Sequence, residues 1–524
     1  MRSKSVLFTA LFAVATASSF SSASGCGGSA SGSHFGGNGD GGGSGGSGSG
    51  SSSGGLFGDD GGGSGGSSSG GTDVMCPAGT QCNVSCSGGA TTSISGKVYD
   101  PALKNGLYNI TVYVPGGAMQ PLPAGVPTGS DACNCGALFK SGAVVATTTG
   151  VDGTFKLNNA PVGSAVPLVL QVGKWRRYMT VDTSMASCGN TQVPDKSAFL
   201  RGTLTGAGVS PNDSMPDIAV STGSADTLEC LMHRIGLPDS EYVAGPATTG
   251  HVHLFNGGNP GKGGKGAARA GTPESPGNPS APESDTNLWD TTAHLMPYDI
   301  VLLSCEGGET YNANPQNLEA YLNAGGRAFG SHYHYAWFSG PDLAGGSMQS
   351  YTAPADWGNN LATWSSGSNG QANTTNGKIV QTLNGSTAPF PKGEAFYQWL
   401  GLVGALTNDL LPIQQPRYNS VVGPSDKPSQ GWINDTATTN TMYFSFDTPV
   451  AGIPGSNPPA YCGRAVFSDL HVAGASSDTP DPPSGCSSAA LSPQEAALEF
   501  MLFDLSSCVI PDTVAPPDGG GVLQ

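Results

Sequence analysis

Residues 318–338 read LEAYLNAGGRAFGSHYHYAWF. Leu318, Tyr321 and Leu322 recur at helical spacing, and Gly325–Gly326 supplies the left-handed residue that ends a helix. RAFG then starts a strand, and the spacing predicts that it runs on through SHYHYAWF. A helix feeding a buried strand is one unit of a parallel sheet. The flanking segments repeat it. PDIAVSTG (216–223) reads as a strand entering a glycine loop. SADTLECLMHRIGL (224–237) reads as a helix with Ser224 as its N-cap and Leu228, Leu231, Met232 and Ile235 on one face. PYDIVLLSCEGGE (297–309) is a continuous apolar run, as expected of a strand buried on both faces. GRAVFSDLHVA (463–473) is a late strand, and SPQEAALEFMLFDLSSC (492–508) is a closing helix with Ser492 at the N-cap and Pro493 in its first turn. The expected result is an α/β domain over residues 213–510, a flavodoxin-like parallel sheet. Its long insertions lie near 256–285 and 340–443, the latter with one helix around GEAFYQWLGLVGAL (393–406). Ligands of such sheets gather at the carboxyl ends of the strands.

Upstream the period changes from 3.6 to two. TSISGKVYD and NGLYNITVYVP alternate, with Asn105–Gly106 and Asp152–Gly153 as turn signals. Residues 91–205 are therefore expected to form a β-sandwich, making the chain multidomain. ISGKVYDPALKNGLYNITVYVPG (94–116) and TTTGVDGTFKLNNAPVG (147–163) resemble the carboxypeptidase regulatory-like domain, a transthyretin-like sandwich. The resemblance implies a non-catalytic module, with carbohydrate as a partner by fold analogy. Trp175, Arg176, Arg177 and Tyr178 are either a sugar-stacking patch or a strand edge with a solvated basic pair.

The N-terminus reads as an export signal, residues 1–25. Arg2 and Lys4 precede VLFTALFAVATA (6–17), too short for a membrane span. The following ASGC (23–26) is similar to a bacterial lipoprotein signal, which implies lipidation of Cys26 and membrane anchoring. The alternative is ordinary cleavage with Cys26 left as a thiol. Residues 26–73 are almost wholly Gly and Ser, a tether unable to bury a core. A Cys-rich segment follows at 74–90, and residues 511–524 read as a flexible tail. The net charge of −17 sets nucleic acid aside as a partner. Gly264–Lys265 lacks the spacing and the following Ser or Thr of a phosphate loop.

Twelve cysteines suit an oxidising compartment. Without Cys26 the count is odd, so at least one thiol should stay outside intrachain disulfides. Cys305 is either that thiol, a nucleophile beside the Gly307–Gly308 loop, or half of a disulfide whose nearest partner is Cys230. Cys486 and Cys508 flank the last helix as a possible staple.

YDIVLLSCEGG, LEAYLNAGGRAFGSHYHY and GRAVFSDLH…EAALEFMLFDL look like the class I glutamine-amidotransferase-like fold, closest to its ThuA-like group. That resemblance implies a nucleophile elbow at residues 330–334, where His332 stands in place of the cysteine. Glutaminase chemistry needs a thiolate there, so the resemblance argues against amidotransferase activity. His332 and His471 match histidines of the ThuA-like branch, while the acid expected after His471 is missing. His332, His334, His471 and Asp469, with Glu306 or Glu309, form the candidate cluster on neighbouring strand ends. Imidazoles and carboxylates suit a divalent metal such as zinc. The same groups could act as acid and base without metal, or close the sheet structurally. His332, His471 and Cys305 are the candidate catalytic residues. A second pair, His251 and His253, is expected to lie apart on a strand. The leading functional expectation is a surface-anchored lipoprotein with a non-catalytic binding or scaffold role, with carbohydrate as the candidate ligand. The alternative is a hydrolase or other sugar-related enzyme using the histidines.

Overall fold

A computed structural model describes residues 75–223, 226–257, 286–306, 309, 314–339, 353–365, 373–456, 459–471 and 486–515. The signal segment, Cys26, the tether, Ser224, the Gly307–Gly308 loop, the phosphate-loop look-alike, most of the first insertion and the last residues lie outside these.

The chain is β-rich and divides its strands among several sheets. The period-two segments form two four-stranded sheets. One pairs Ser93–Tyr99 with Thr154–Asn158, Asn190–Gln192 and Ala198–Phe199. The other is antiparallel, in the order Ala143–Thr148, Thr111–Pro115, Val166–Val172, Trp175–Val181. Alternation does its expected work in Thr154–Asn158, where Phe155 and Leu157 are buried and their neighbours exposed. These two residues join Ile94, Val98, Val112 and Leu168 in a shared core.

The third sheet has ten strands and is mixed. Six parallel strands run in the order Tyr242–Ala244, Val252–Phe255, Ile218–Ser221, Ile300–Leu303, Arg327–Ser331, Gly463–Ser468. Four antiparallel strands continue it: Thr441–Thr448, Ser429–Asp435, Thr374–Ile379, Leu411–Gln414. The second insertion is thus largely an antiparallel extension of the sheet, where a parallel sheet was expected. Ile300–Leu303 is buried along its whole length, as its unbroken apolar run requires. The helix Gln316–Asn323 returns the chain to the next strand. It ends at Gly325, with φ +116°, and at Gly326, where a Cβ would stand 2.4 Å from the Tyr321 ring.

The opening stretch departs from expectation in one place. The strand stops at Ser331. His332–Tyr335 is a 3-10 turn and Ala336–Ser339 the start of a helix. His332 has φ +44°, and no strand can continue through a left-handed residue.

The last helix, Pro493–Ser506, binds sandwich and large sheet together. Ser492 and Glu495 close a reciprocal capping box. Phe500 stacks on Tyr108 of the sandwich at 5.8 Å and packs at 5.0 and 5.6 Å against Phe396 and Trp399 of the helix Pro391–Leu402. Trp399 Nε1 donates to Gly106 O at 2.8 Å. The residues from 54 to 524 accordingly form one compact unit. Trp175 is fully buried against Phe503, Arg176 donates to Asn212 O, and Arg177 lies over Phe199. Trp175–Val181 is the edge strand of its sheet, as one reading had it, but its basic pair is packed against the chain and Trp175 is too buried to stack on a sugar.

Five disulfides join Cys76–Cys82, Cys86–Cys188, Cys133–Cys462, Cys135–Cys508 and Cys230–Cys486. Cys230 does not reach Cys305, because Cys486 before the last helix takes it. Cys486 and Cys508 do not staple the helix to itself. Each ties one flank of it elsewhere. Cys305 keeps its thiol, in line with the odd count.

Candidate functional site

Three parallel strands in adjacent positions deliver three side chains to one point. Their registers pair Leu303 with Gly330 and Ser331 with Ser468, so the chain leaves all three at similar height. Cys305 lies just past the first strand. Its N–H donates to Ser331 Oγ at 3.0 Å, and a Cβ on Gly223 would stand 2.3 Å from its carbonyl oxygen. His332 is the tip of the strand–turn–helix elbow. A non-glycine residue at φ +44° carries backbone strain of order 1–3 kcal/mol, a cost concentrated at functional positions. His471 lies three residues past the end of the third strand at Ser468. Its carbonyl accepts from Gln494 Nε2 at 2.6 Å, and that amide also donates to Gln414 O at 3.0 Å. The last helix therefore clamps the histidine's backbone to the sheet extension.

The reacting atoms converge. Cys305 Sγ is 3.2 Å from His332 Nδ1, and His471 Nε2 is 3.1 Å from the same nitrogen. The three donor atoms lie within 4.8 Å of one another, and all three residues are buried. His471 Nδ1 is 3.2 Å from the side-chain oxygen of Gln415, so this nitrogen donates and Nε2 keeps its lone pair toward the cluster. His332 Nε2 is buried without a hydrogen-bond partner among the described residues.

Electrostatics keep both rings neutral. Burial, then the charges of His471, Arg417 and His334, push His332 well below the ordinary histidine range. Burial, then Arg417, pushes His471 down to about 3. Among the described residues no carboxylate bonds to either ring. A thiolate–imidazolium pair would have no anion to orient the imidazolium, whereas neutral imidazoles and a cysteine sulfur are metal donors. A tetrahedral zinc with bonds of roughly 2.0–2.3 Å would set such atoms roughly 3.3–3.6 Å apart, close to the two distances from His332 Nδ1. The cluster could hold a metal ion.

The other candidates go elsewhere. His334 was expected on the same side as His332, but period two does not apply inside a 3-10 turn. Its Nε2 donates to Ser304 O at 2.9 Å, with Glu306 Oε1 at 3.8 Å. Glu306 also accepts from Ser221 Oγ at 3.0 Å, and Glu309 accepts from the Tyr335 hydroxyl. Asp469 is absent from the cluster. Its Oδ2 accepts from Asn419 N, Ser420 N and Ser420 Oγ at 2.6, 2.7 and 3.1 Å, organising a turn. Burial, partly offset by these donors, raises its pKa to about 7. His251 bonds Glu241 and His253 packs edge-on against Tyr298, both apart from the cluster as expected. Sequence reasoning missed Gln415 and Arg417. They come from the antiparallel extension, and no local motif marks them.

No protein-family model matches the chain, and no curated protein sequence matches it.

Proposed function

We propose that the chain is a metal-dependent hydrolase whose centre is Cys305, His332 and His471. The convergence of these three buried donor atoms carries the reading. Zinc suits one thiolate and two neutral imidazoles. When bound, such an ion supplies Lewis acidity and a water that ionises near neutral pH. The chain's own residues do the rest. The elbow points His332 into the cluster, Gln415 fixes the tautomer of His471, and Ser331 holds the Cys305 backbone.

In this proposal the parallel half of the large sheet is an amidotransferase-like domain of the ThuA-like kind. The positive φ at the elbow supports it, as does a histidine after the sixth parallel strand. The first sheets are a transthyretin-like module, and an export signal with a lipid on Cys26 places the protein at the cell envelope. Amidotransferase chemistry is not part of the proposal, because the elbow carries His332. A second reading keeps the same architecture but gives the protein a non-catalytic binding role, toward carbohydrate. The near-complete burial of all three donors favours it, since a closed metal site is structural.

Elemental analysis of the purified protein tests the centre. The expected result is about one zinc per chain, lost in His332→Ala and Cys305→Ser. Absence of stoichiometric metal after zinc loading and desalting sinks the metal reading. Bound zinc that neither exchanges nor supports hydrolysis of ester, amide or glycoside substrates supports the second.

A further inference from the structure

The charge around the cluster is unbalanced. Arg417 leaves the Leu411–Gln414 strand two residues after Gln415, the partner of His471. Its N–H donates to Asp469 O at 2.6 Å, and Pro416 bridges Leu470. The segment 415–417 is therefore zipped along 469–471, the segment that carries the histidine ligand. The Arg417 side chain is 9 % exposed. Its Nη1 donates to the carbonyls of Gln415 and Pro416, each at 3.0 Å. Its Nε is buried and has no partner. Among the described residues no carboxylate oxygen comes within 4.0 Å of the guanidinium. Asp469 is the acid beside it in the fold: its Oδ2 is committed to the turn at Asn419 and Ser420, its Oδ1 is buried without a hydrogen-bond partner, and its carboxylate acts on Arg417 through space without bonding it. A buried guanidinium whose donors are not all bonded is costly.

The sum points one way. A divalent ion and a guanidinium against one thiolate and the Asp469 carboxylate still leave a net positive site. Arg417 Nε–H and His332 Nε2 are two buried polar atoms without a hydrogen-bond partner among the described residues. Resting on the metal-centre reading, we infer that the substrate carries an oxyanion, a carboxylate or a phosphate, and that Arg417 anchors it. Guanidinium geometry matches both groups, through two parallel N–H donors. The role is specificity: Arg417 would fix the charged end of the substrate beside the centre.

The test uses the full chain loaded with cobalt(II), whose visible spectrum reports the coordination sphere. Sodium acetate and sodium phosphate are titrated at constant ionic strength set with chloride, and melting temperature is followed in parallel. In the wild type one oxyanion should change the spectrum and raise the melting temperature saturably. Arg417→Gln should weaken that response about 10- to 100-fold, the loss of a charged hydrogen bond. Arg417→Lys should fall between, and it serves as the informative variant if Arg417→Gln does not fold. A response to phosphate alone assigns a phosphoester substrate, and to acetate alone a carboxylate. Cobalt binding with identical anion responses in wild type and Arg417 variants, or with none, overturns the anchor and leaves the metal centre standing. If cobalt fails to bind, the metal reading falls. Anchoring is then decided by the melting temperature, where an oxyanion effect removed by Arg417→Gln supports it and no effect overturns it.

Discussion

At the residue scale, each member of the cluster has a separate cause and a separate test. Cys305 supplies the only sulfur donor there, so Cys305→Ser should abolish the thiolate-to-cobalt charge-transfer absorption of the loaded protein. An unchanged near-ultraviolet band in that variant would exclude Cys305 as a ligand. Gln415 acts through His471, and removing such a partner costs roughly 10- to 100-fold in metal affinity. Gln415→Ala should show that loss in a chelator competition, with Gln415→Glu recovering part of it. An affinity equal to wild type would mean that the Gln415 bond does not orient the ring. His332 and His471 were legible in the sequence because strand ends carry function. Cys305 was named with them as a catalytic candidate, but its place as the third donor of a metal set was not legible, since that needs the order of three strands far apart in the chain. His334 and Asp469 were misgrouped because a two-residue period was extended past the strand end. The chain turns there into a 3-10 helix at one site and a capped loop at the other.

At the element scale, the parallel half of the large sheet was readable from continuous apolar runs and glycine stops. The antiparallel extension was not. Its strands mix Asn, Thr, Ser and Gly with apolar residues and carry register shifts between Gly431 and Asn434, so neither period persists. The last helix was legible from its cap, and it makes two predictions. Phe500 touches sandwich and sheet helices at once, so Phe500→Ala should cost about 3–5 kcal/mol by denaturant unfolding. A loss below 1 kcal/mol would mean that the joint does not depend on this ring. Glu499 on the same helix is fully buried. Asn105 donates to it at 2.7 Å, and it faces Asp100 and, more distantly, Lys104. Burial, then the adjacent Asp100 charge, holds Glu499 well above the usual carboxylate range, and burial also raises Asp100. The folded pair thus keeps a proton that the unfolded chain releases near pH 4. Stability from the pair is complete below that pH and declines as pH rises toward the raised value. Glu499→Gln should therefore melt higher than wild type at pH 8, with the difference shrinking toward pH 4. A constant difference across that range would show that the pair does not share a proton.

At the scale of the whole molecule, sandwich and large sheet form one unit, although composition and periodicity divide the chain between them. The division is correct for secondary structure, but it misses the joint, because disulfide pairing and aromatic packing across 300 residues leave no local trace. Anchoring is testable in the same frame. If Cys26 is lipidated, Cys26→Ser should move the protein from the membrane fraction to the soluble fraction, and retention in the membrane would exclude that anchor. The pairing of Cys133 with Cys462, Cys135 with Cys508 and Cys230 with Cys486 also imposes an order of events. Every late partner lies at residue 462 or beyond, so a growing chain carries three early thiols that cannot find these partners until residues 462–508 have emerged. Only the Cys76–Cys82 and Cys86–Cys188 bonds can form from the first half. Alkylation of chains halted near residue 440 should find Cys133, Cys135 and Cys230 still reactive. Closure of these three bonds therefore waits for residues 462–508, and they lock the strand that leads to His471.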